Sequence, residues 1–431
     1  MPSSYKASRH SKRNTQVLER PDYGWIWKPI VTLAVIYLLV TLALGIWWSR
    51  TPDTFDVKRA AAMQQGFEGV ENPTPPISVP KARGAVSVAT LIASIDTLLE
   101  KPGGYLRNDV MPPGLWLDNM PSWELGVLRQ TRLMTELLAQ NADGEAASLE
   151  EAVERLSAGD EEWFYPSTER HLAKAQEALD YYFESMTNKG GDRLAPSDEL
   201  PAGWLNQAAE RLDWLSHRLS ASVVEREALR DLNIDPQELP EHTPWYRIDN
   251  VFFETRGATW AMLVQLRALM ADYPQLMQQA RIQTDVKRLI AELNFTQRRL
   301  WSPLILNGSG FGIFANHSLM MANYTLKARD LAQTLAQRIA DVQSKTSAES
   351  NEKKQPPAQS ETPSPAAQTN EGASKPSSDP SVAKGSEAGS AASTDQETTS
   401  ETPDDKDKND DKTRISPEEA AEQQDIDTAE P

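Results

Sequence analysis

The sequence predicts an all-α protein with a single N-terminal transmembrane helix, an elongated multi-helix bundle and a disordered C-terminal tail. Three observations lead to this prediction. An uncharged apolar run stands near the N-terminus, and apolar residues recur at spacings of three and four through the middle of the chain. The last part of the chain, by contrast, contains almost no residues that a core needs.

The apolar run predicts a transmembrane helix over residues 29–49. No residue between Lys28 and Arg50 is charged, and twenty helical residues span about 30 Å, the thickness of a hydrocarbon core. Aromatic side chains, which prefer the headgroup level, flank the run on both sides: Tyr23, Trp25, Trp27, Trp47 and Trp48. A cleaved signal peptide is the alternative, but such segments are shorter and start earlier.

Basic residues predict the orientation of this helix. Six precede it, and only Arg50, Lys58 and Arg59 follow over a similar length; the six are Lys6, Arg9, Lys12, Arg13, Arg20 and Lys28. Cytoplasmic flanks carry the excess of Lys and Arg. Residues 1–28 are therefore expected in the cytoplasm of a bacterium, the helix in its inner membrane and the remainder in the periplasm.

Cysteine and the glycosylation motifs bear on the compartment. The chain has no cysteine, which excludes disulfides, thiolate catalysis and Cys-ligated metals. Asn-x-Ser/Thr triplets begin at Asn294, Asn307, Asn316 and Asn323, and they would matter in a eukaryotic type II membrane protein. A secreted eukaryotic domain without one disulfide is unusual, so we favour the bacterial interpretation.

Between the anchor and the tail the sequence predicts a spacer and one helical domain. Residues 50–80 include a proline-rich run at 72–80, which is expected to be stiff and to hold the domain away from the bilayer. Residues 81–344 carry successive apolar stripes, such as Leu91, Ile92, Ile95 and Leu98, interrupted by Gly, Asn and Pro. Seven or eight helices in one bundle are expected.

The tail, residues 345–431, is predicted to be disordered and acidic. It holds twenty Asp and Glu against nine Lys and Arg, a net charge of −11 out of −18 for the whole chain. Its only Val, Ile or Leu residues are Val382, Ile415 and Ile426, too few to offset the entropy of ordering it. Such an acidic balance also argues against nucleic-acid binding.

The segment 103–124 is the strongest candidate for a site. Its glycines and prolines exclude a regular helix, whereas its Tyr, Leu, Met and Trp residues favour burial, so an ordered loop packed on the bundle is expected. Asp109, Asp118 and Glu124 are weak catalytic candidates, because two carboxylates can serve as acid and base on a glycan. The alternative is that Asp118 and Asn119 only cap the next helix.

The same segment resembles the signature of an uncharacterised family of Gram-negative inner-membrane proteins, known as domain of unknown function 2333. The residues that carry the resemblance are 104–106, 108–109, 112–114, 117–121 and 123–124. The layout of an anchor followed by a helical domain is also similar, so the resemblance extends over about residues 23–344. It implies a bacterial inner-membrane protein and assigns no catalytic residue.

Two further features extend the candidate interaction surface. Residues 248–251 repeat the pattern of residues 117–120, which would fit an internal duplication, and the glycine-rich stretch 307–316 suits either a ligand groove or a packed connection. A phosphate-binding loop is not indicated there, because no Gly-Lys-Ser/Thr follows. The surface comprises Tyr105, Trp116, Asp118, Asn119, Trp123, Asp249, Asn250, Phe311 and Phe314.

Three functions fit these features. We favour an envelope scaffold or adaptor that acts through protein–protein interaction, since an anchor and a helical domain occur without a catalytic motif. The second is a periplasmic enzyme or binding protein for cell-wall glycan that uses the carboxylates above. The third is a sensor, although 28 cytoplasmic residues leave no room for a signalling domain. No cofactor or metal is expected.

Overall fold

The computed structural model describes residues 24–66, 80–144, 146–188, 191–195, 197–221, 243–300, 305–307 and 315–354. Within these residues the structure is all-α, which confirms the predicted fold class. It contains eleven α-helices and two 3-10 turns, Gly114–Trp116 and Trp245–Arg247. Strand-like pairing in these ranges is limited to two isolated bridges, between Ala142 and Leu194 and between Asn307 and Asn316.

The helices follow one another along the chain with few long connections among the described residues. In order they are α1 (Gly24–Trp48), α2 (Val57–Gln64), α3 (Ala85–Glu100), α4 (Asn119–Gln140), α5 (Ala147–Leu156), α6 (Thr168–Thr187), α7 (Glu199–Ala221), α8 (Ile248–Asp272), α9 (Pro274–Gln279), α10 (Gln283–Thr296) and α11 (His317–Lys354). After α1 there are thus ten described helices rather than seven or eight. The short helices α2 and α9 carry too few residues for a periodic pattern.

Two helices, α4 and α8, form the centre of the domain. Most residues of α8 between positions 251 and 269 are buried, so its sides contact several neighbours at once: α3, α4, α7 and α10. Three tryptophans are fully buried: Trp123 of α4, Trp204 of α7 and Trp260 of α8. The rings of Trp123 and Trp260 meet edge to face with centroids 5.4 Å apart. Large apolar side chains at the middle of the helices therefore fill the core.

A pair of glycines lets α4 and α8 approach each other closely. A methyl group on Gly126 would overlap the carbonyl oxygen of Glu254 and lie 2.6 Å from the nitrogen of Ala258. A methyl group on Gly257 would in turn overlap the carbonyl oxygen of Trp123. Side chains at both positions would force the backbones apart, so these glycines fix the distance between the two helices.

Helix α1 is apolar and largely exposed. Its segment Trp27–Trp48 has a mean hydropathy of 2.5 and is long enough to cross a membrane, a property that a signal sequence shares. Within α1 the exposed positions outnumber the covered ones, and covered residues occur at Thr41, Leu44, Gly45 and Trp48. These four lie on one side of the last two turns, as their spacing of three and four shows.

The segment between α1 and the proline-rich run contacts the domain. Phe55 packs edge to face on Trp260 with centroids 5.8 Å apart, and α2 packs against α3 and α8 through Val57 and Ala61. Residues 51–66 therefore do not separate the domain from the anchor. The expected spacer at 72–80 lies outside the described residues except for Pro80, which is buried.

The last described helix crosses residue 344, where the sequence predicts the end of the domain. Helix α11 continues to Lys354, ten residues into the segment assigned to the tail. Among the side chains of α11 that the structure describes, the last buried apolar one is Ile339. The chain from residue 355 onward, with most of the acidic tail, lies outside the described residues.

Candidate functional site

Glu124 anchors the loop 101–117 rather than facing solvent. Its carboxylate is fully buried and accepts hydrogen bonds from the backbone nitrogen of Leu106 at 2.9 Å and that of Arg107 at 2.8 Å. The buried Lys101 ammonium forms an ion pair with it at 2.5 Å and also donates to the carbonyl oxygen of Gly104. Burial raises the pKa of Glu124 to about 7, although Lys101 opposes that shift.

The structure buries two residues that the sequence assigned to the interaction surface, Tyr105 of the loop and Trp123 of α4. Tyr105 is 3% exposed and Trp123 is 0% exposed, so neither belongs to a surface, and that part of the prediction is wrong. Tyr105 donates a hydrogen bond to the carbonyl oxygen of Asp160 at 2.9 Å, which ties the loop to the segment before α6. Tyr105 thus packs the loop on the bundle, and Trp123 packs on Trp260 inside it.

Burial of the Leu, Met and Trp residues of the loop was also expected; Leu106 is buried, but three others are not. Met111, Leu115 and Trp116 are 71%, 58% and 59% exposed. The carboxylate of Asp109 packs against Gly114, where a side chain would overlap it. Burial, with the charge of Glu169 in second place, raises the pKa of Asp109. Within the loop, Tyr105 and Leu106 therefore face the bundle, whereas Met111, Leu115 and Trp116 face outward.

Asp118 occupies the N-cap position of α4, but its carboxylate makes no capping hydrogen bond. Its side chain is exposed, and Asn119 beside it is half-buried. The capping role that the sequence suggested as the alternative to catalysis is therefore not realised through this carboxylate. The side chain of Asp118 is therefore accessible from outside the helix.

Helices α4 and α8 bring two Asp-Asn pairs together. The pairs, residues 118–119 and 249–250, begin the two helices, and the charge of Asp118 acts on Asp249. Burial is the larger cause and the charge of Asp118 the second cause of a raised pKa at Asp249. We call Asp118, Asn119, Asp249 and Asn250 the acceptor patch. Sequence reasoning named all four residues, and the structure places them in one region.

The acceptor patch contains polar atoms that the described residues do not satisfy. The Oδ1 atoms of Asn119 and Asn250 are buried and accept no hydrogen bond. Asp249 accepts one from the backbone nitrogen of Asn250 at 3.0 Å. Buried acceptors without a donor are uncommon in folded proteins, because the loss of hydration is not offset.

A second charged cluster was not foreseen from the sequence. The buried carboxylate of Glu254 meets three guanidinium groups, at distances of 2.6 to 2.8 Å; they belong to Arg129, Arg211 and Arg218. Burial alone would raise the pKa of Glu254, but these charges lower it. The sequence contains one sign of this cluster, the i, i+3, i+7 spacing of Arg211, Trp214 and Arg218. The two guanidinium groups stack on the ring of Trp214. Glu254 lies on another helix, so the sequence does not indicate that it joins them.

The second candidate loop, 307–316, is only partly described. Phe311 and Phe314 lie outside the described residues, so their place in the interaction surface stays a prediction. Beside it, a cavity of about 220 Å³ opens between α8, α10 and α11, lined by Phe252, Phe295, Thr296, Arg298, Arg299, Leu300, His317, Met320, Met321 and Tyr324. The catalytic candidates Asp109, Asp118 and Glu124 do not line it.

These features define an all-α protein with one N-terminal helix that is long and apolar enough to cross a membrane. The chain belongs to the family of uncharacterized proteins conserved in bacteria known as domain of unknown function 2333, whose model matches residues 21–341. This match confirms the resemblance found in the loop 101–117 and the start of α4. No curated protein and no solved structure matches the chain.

Proposed function

We propose that the protein is a single-pass inner-membrane protein whose periplasmic helical domain acts as an envelope scaffold or adaptor. Helix α1 is the anchor, with its basic N-terminal flank in the cytoplasm. Membership of a bacterial family and the excess of Lys and Arg before α1 support this placement. An uncleaved anchor also fits the contacts of Gly45 and Trp48 with the loop 101–117, which a cleaved signal peptide would not need.

The acceptor patch is the observation that carries the interaction role. It combines two carboxylates with two unsatisfied amide oxygens at the start of α4 and α8. A partner that presents Arg, Lys or backbone N–H groups would pair with the carboxylates of Asp118 and Asp249, and charge-assisted hydrogen bonds of this kind are short and strong. The partner is therefore another envelope protein with a donor-rich surface.

Photo-crosslinking in cells tests this role. A photoreactive residue replaces Tyr246, which is 57% exposed just before α8, and in a matched variant it replaces Tyr181, 67% exposed on α6. We expect position 246 to give a discrete protein adduct that position 181 does not give. The adduct should disappear when Asp118→Asn and Asp249→Asn are combined. Equal adducts at both positions, or an adduct that survives the double substitution, would refute the role of the patch.

The alternative is a carboxylate-dependent enzyme acting on cell-wall glycan, and one observation favours it. Asp249 has a raised pKa beside the charge of Asp118, as a general acid next to a second carboxylate requires. The purified full chain would then release soluble fragments from peptidoglycan, and either Asp118→Asn or Asp249→Asn would stop the release. Absence of release by the unaltered chain excludes this alternative under those conditions.

A further inference from the structure

One side of α1 is covered, and this covered side extends two turns back from the C-terminal end of the helix. Thr41 is 4% exposed although it precedes Trp48 by seven residues, a distance of about 10 Å along the helix axis. Leu44, Gly45 and Trp48 continue the same covered side. If Trp47 and Trp48 mark the membrane surface, as aromatic residues at helix ends do, this side lies inside one leaflet.

The loop 101–117 contacts that covered side. A methyl group on Gly45 would lie 3.8 Å from Cβ of Pro113 and 3.9 Å from Cδ2 of Leu117. At the top of the helix the ring of Trp48 lies against Gly103, where an added methyl group would come within 2.7 Å of it. Pro113 and Leu117 therefore lie beside Gly45, which precedes Trp48 by about 4.5 Å along the helix axis.

The same loop exposes its large apolar side chains next to these contacts. Val110, Met111, Leu115 and Trp116 are each more than half exposed. All four lie within three residues of Pro113, which contacts the covered side of α1. Exposed apolar groups of this size mark an interaction surface when they occur together.

A second loop, 157–167, adds aromatic side chains to this end of the domain. Trp163, Phe164 and Tyr165 are 63%, 73% and 71% exposed. The two loops are held together: Asn108 donates to the carbonyl oxygen of Glu162 at 2.9 Å, and Arg107 pairs with Glu161 at 2.7 Å. Outside α1, seven of the thirteen exposed large apolar residues in the described ranges belong to these two loops, so this exposure is localised.

We propose that the exposed apolar residues of loops 101–117 and 157–167 insert into the leaflet in which α1 ends, so that the lipid bilayer is the partner of this surface. The inference rests on the proposed role of α1 as a membrane anchor. The domain then rests on the membrane, held by α1 and by the two loops. Tyr and Trp suit this location because their rings are amphipathic.

Charge near the two loops indicates which lipids matter. Asp109, Asp160, Glu161 and Glu162 stand beside the apolar residues, and Arg107 pairs with Asp160 and Glu161. The balance is acidic, so anionic lipids would not attract this surface. Burial of apolar area drives the contact, and zwitterionic phosphatidylcholine is sufficient for it.

Single-cysteine labelling of the full chain tests the proposal. Because the chain has no cysteine, a cysteine at Leu115, Phe164, Leu38 or Tyr181 gives one labelled position each. The four variants carry an environment-sensitive fluorophore and are reconstituted into phosphatidylcholine vesicles containing lipids with a nitroxide quencher near the headgroup or deep in the acyl chain. Leu38 reports on the anchor, and Tyr181 is the exposed control outside both loops.

We expect the labels at positions 115 and 164 to be quenched several-fold more than the label at 181, and more by the shallow than by the deep nitroxide. The label at 38 should be quenched strongly by the deep nitroxide. The insertion of the loops would be overturned if the label at 38 is quenched but a label at 115 or 164 is quenched no more than the label at 181. Absence of quenching at 38 would instead overturn the anchor. Circular dichroism checks that each variant is folded.

Discussion

Two carboxylates in this domain, those of Glu124 and Asp272, accept hydrogen bonds from backbone nitrogens. Glu124 holds the turn at Leu106 and Arg107. Asp272, at the end of α8, holds the start of α3: it accepts from the nitrogen of Val86 at 3.1 Å and from that of Ser87 at 2.8 Å. In both cases a carboxylate satisfies N–H groups that have no partner within their own segment.

Asp272 gives a prediction for the pH dependence of stability. Burial raises its pKa from an ordinary value of 3.8 to about 6, although the hydrogen bonds from Ser87 and Val86 oppose the shift. The folded state then binds this proton more tightly than the unfolded state. Its contribution to stability is present below the unfolded pKa and is lost as pH rises through 6. We expect the free energy of unfolding to fall by up to about 3 kcal/mol from this group.

The measurement is denaturant unfolding of the full chain between pH 4 and pH 7, for the unaltered chain and for Asp272→Asn. The variant has no titrating group at this position, so its stability should fall less steeply over this interval. Equal slopes for the two proteins would show that burial does not raise this pKa. The comparison between the two chains removes the contribution of other titrating residues.

The packing of α4 against α8 places the residues of the acceptor patch near one another. The contacts are reciprocal: Gly126 faces Glu254, and Gly257 faces Trp123. Gln130 donates to Oε1 of Gln265 at 3.0 Å further along both helices. The two helices therefore run in the same direction, and their first residues, including both Asp-Asn pairs, lie at the same end.

Alanine at either glycine tests the crossing. We expect Gly126→Ala and Gly257→Ala each to reduce the free energy of unfolding by about 2 kcal/mol, because the overlap with a carbonyl group exceeds the gain in helix propensity. The control is Gly203→Ala in α7, where the added methyl group would lie 3.5 Å from Leu137. That variant should gain up to about 1 kcal/mol, and denaturant unfolding measures all three. Stabilisation at 126 or 257 would contradict the close crossing.

In the whole molecule, the helical domain and the acidic tail differ in their content of apolar residues. The folded part that the structure describes ends with α11 at Lys354. Among the side chains described there, the last large buried apolar ones are Leu335 and Ile339. The tail, residues 345–431, has a net charge of −11 and only three Val, Ile or Leu residues.

We predict that deleting residues 359–431 leaves the melting temperature of the domain unchanged. Truncation after residue 330, in contrast, removes Leu335 and Ile339 and should cost about 2 kcal/mol for each side chain lost from the core. Thermal unfolding followed by circular dichroism compares both truncations with the full chain. A large fall in melting temperature after the first deletion would show that the tail packs on the domain.

The sequence by itself determined the class of the fold, the apolar helix and the long helices. Each of these depends on local composition and on a period of three to four residues, which can be read along one segment. The repeated Asp-Asn pattern at residues 118 and 249 was visible as well. The two units differ in length, because 12 residues separate Asp118 from Gln130 and 16 separate Asp249 from Gln265, a difference of about one helical turn.

Only the tertiary structure decided which residues of the loop 101–117 are buried. Tyr105 and Trp116 have similar surroundings in the sequence, yet one is buried and the other is 59% exposed, because the buried Lys101–Glu124 pair fixes the turn. The cluster around Glu254 likewise joins three helices. Contacts between segments far apart in the chain leave no local period, and the direction of a loop side chain depends on such contacts.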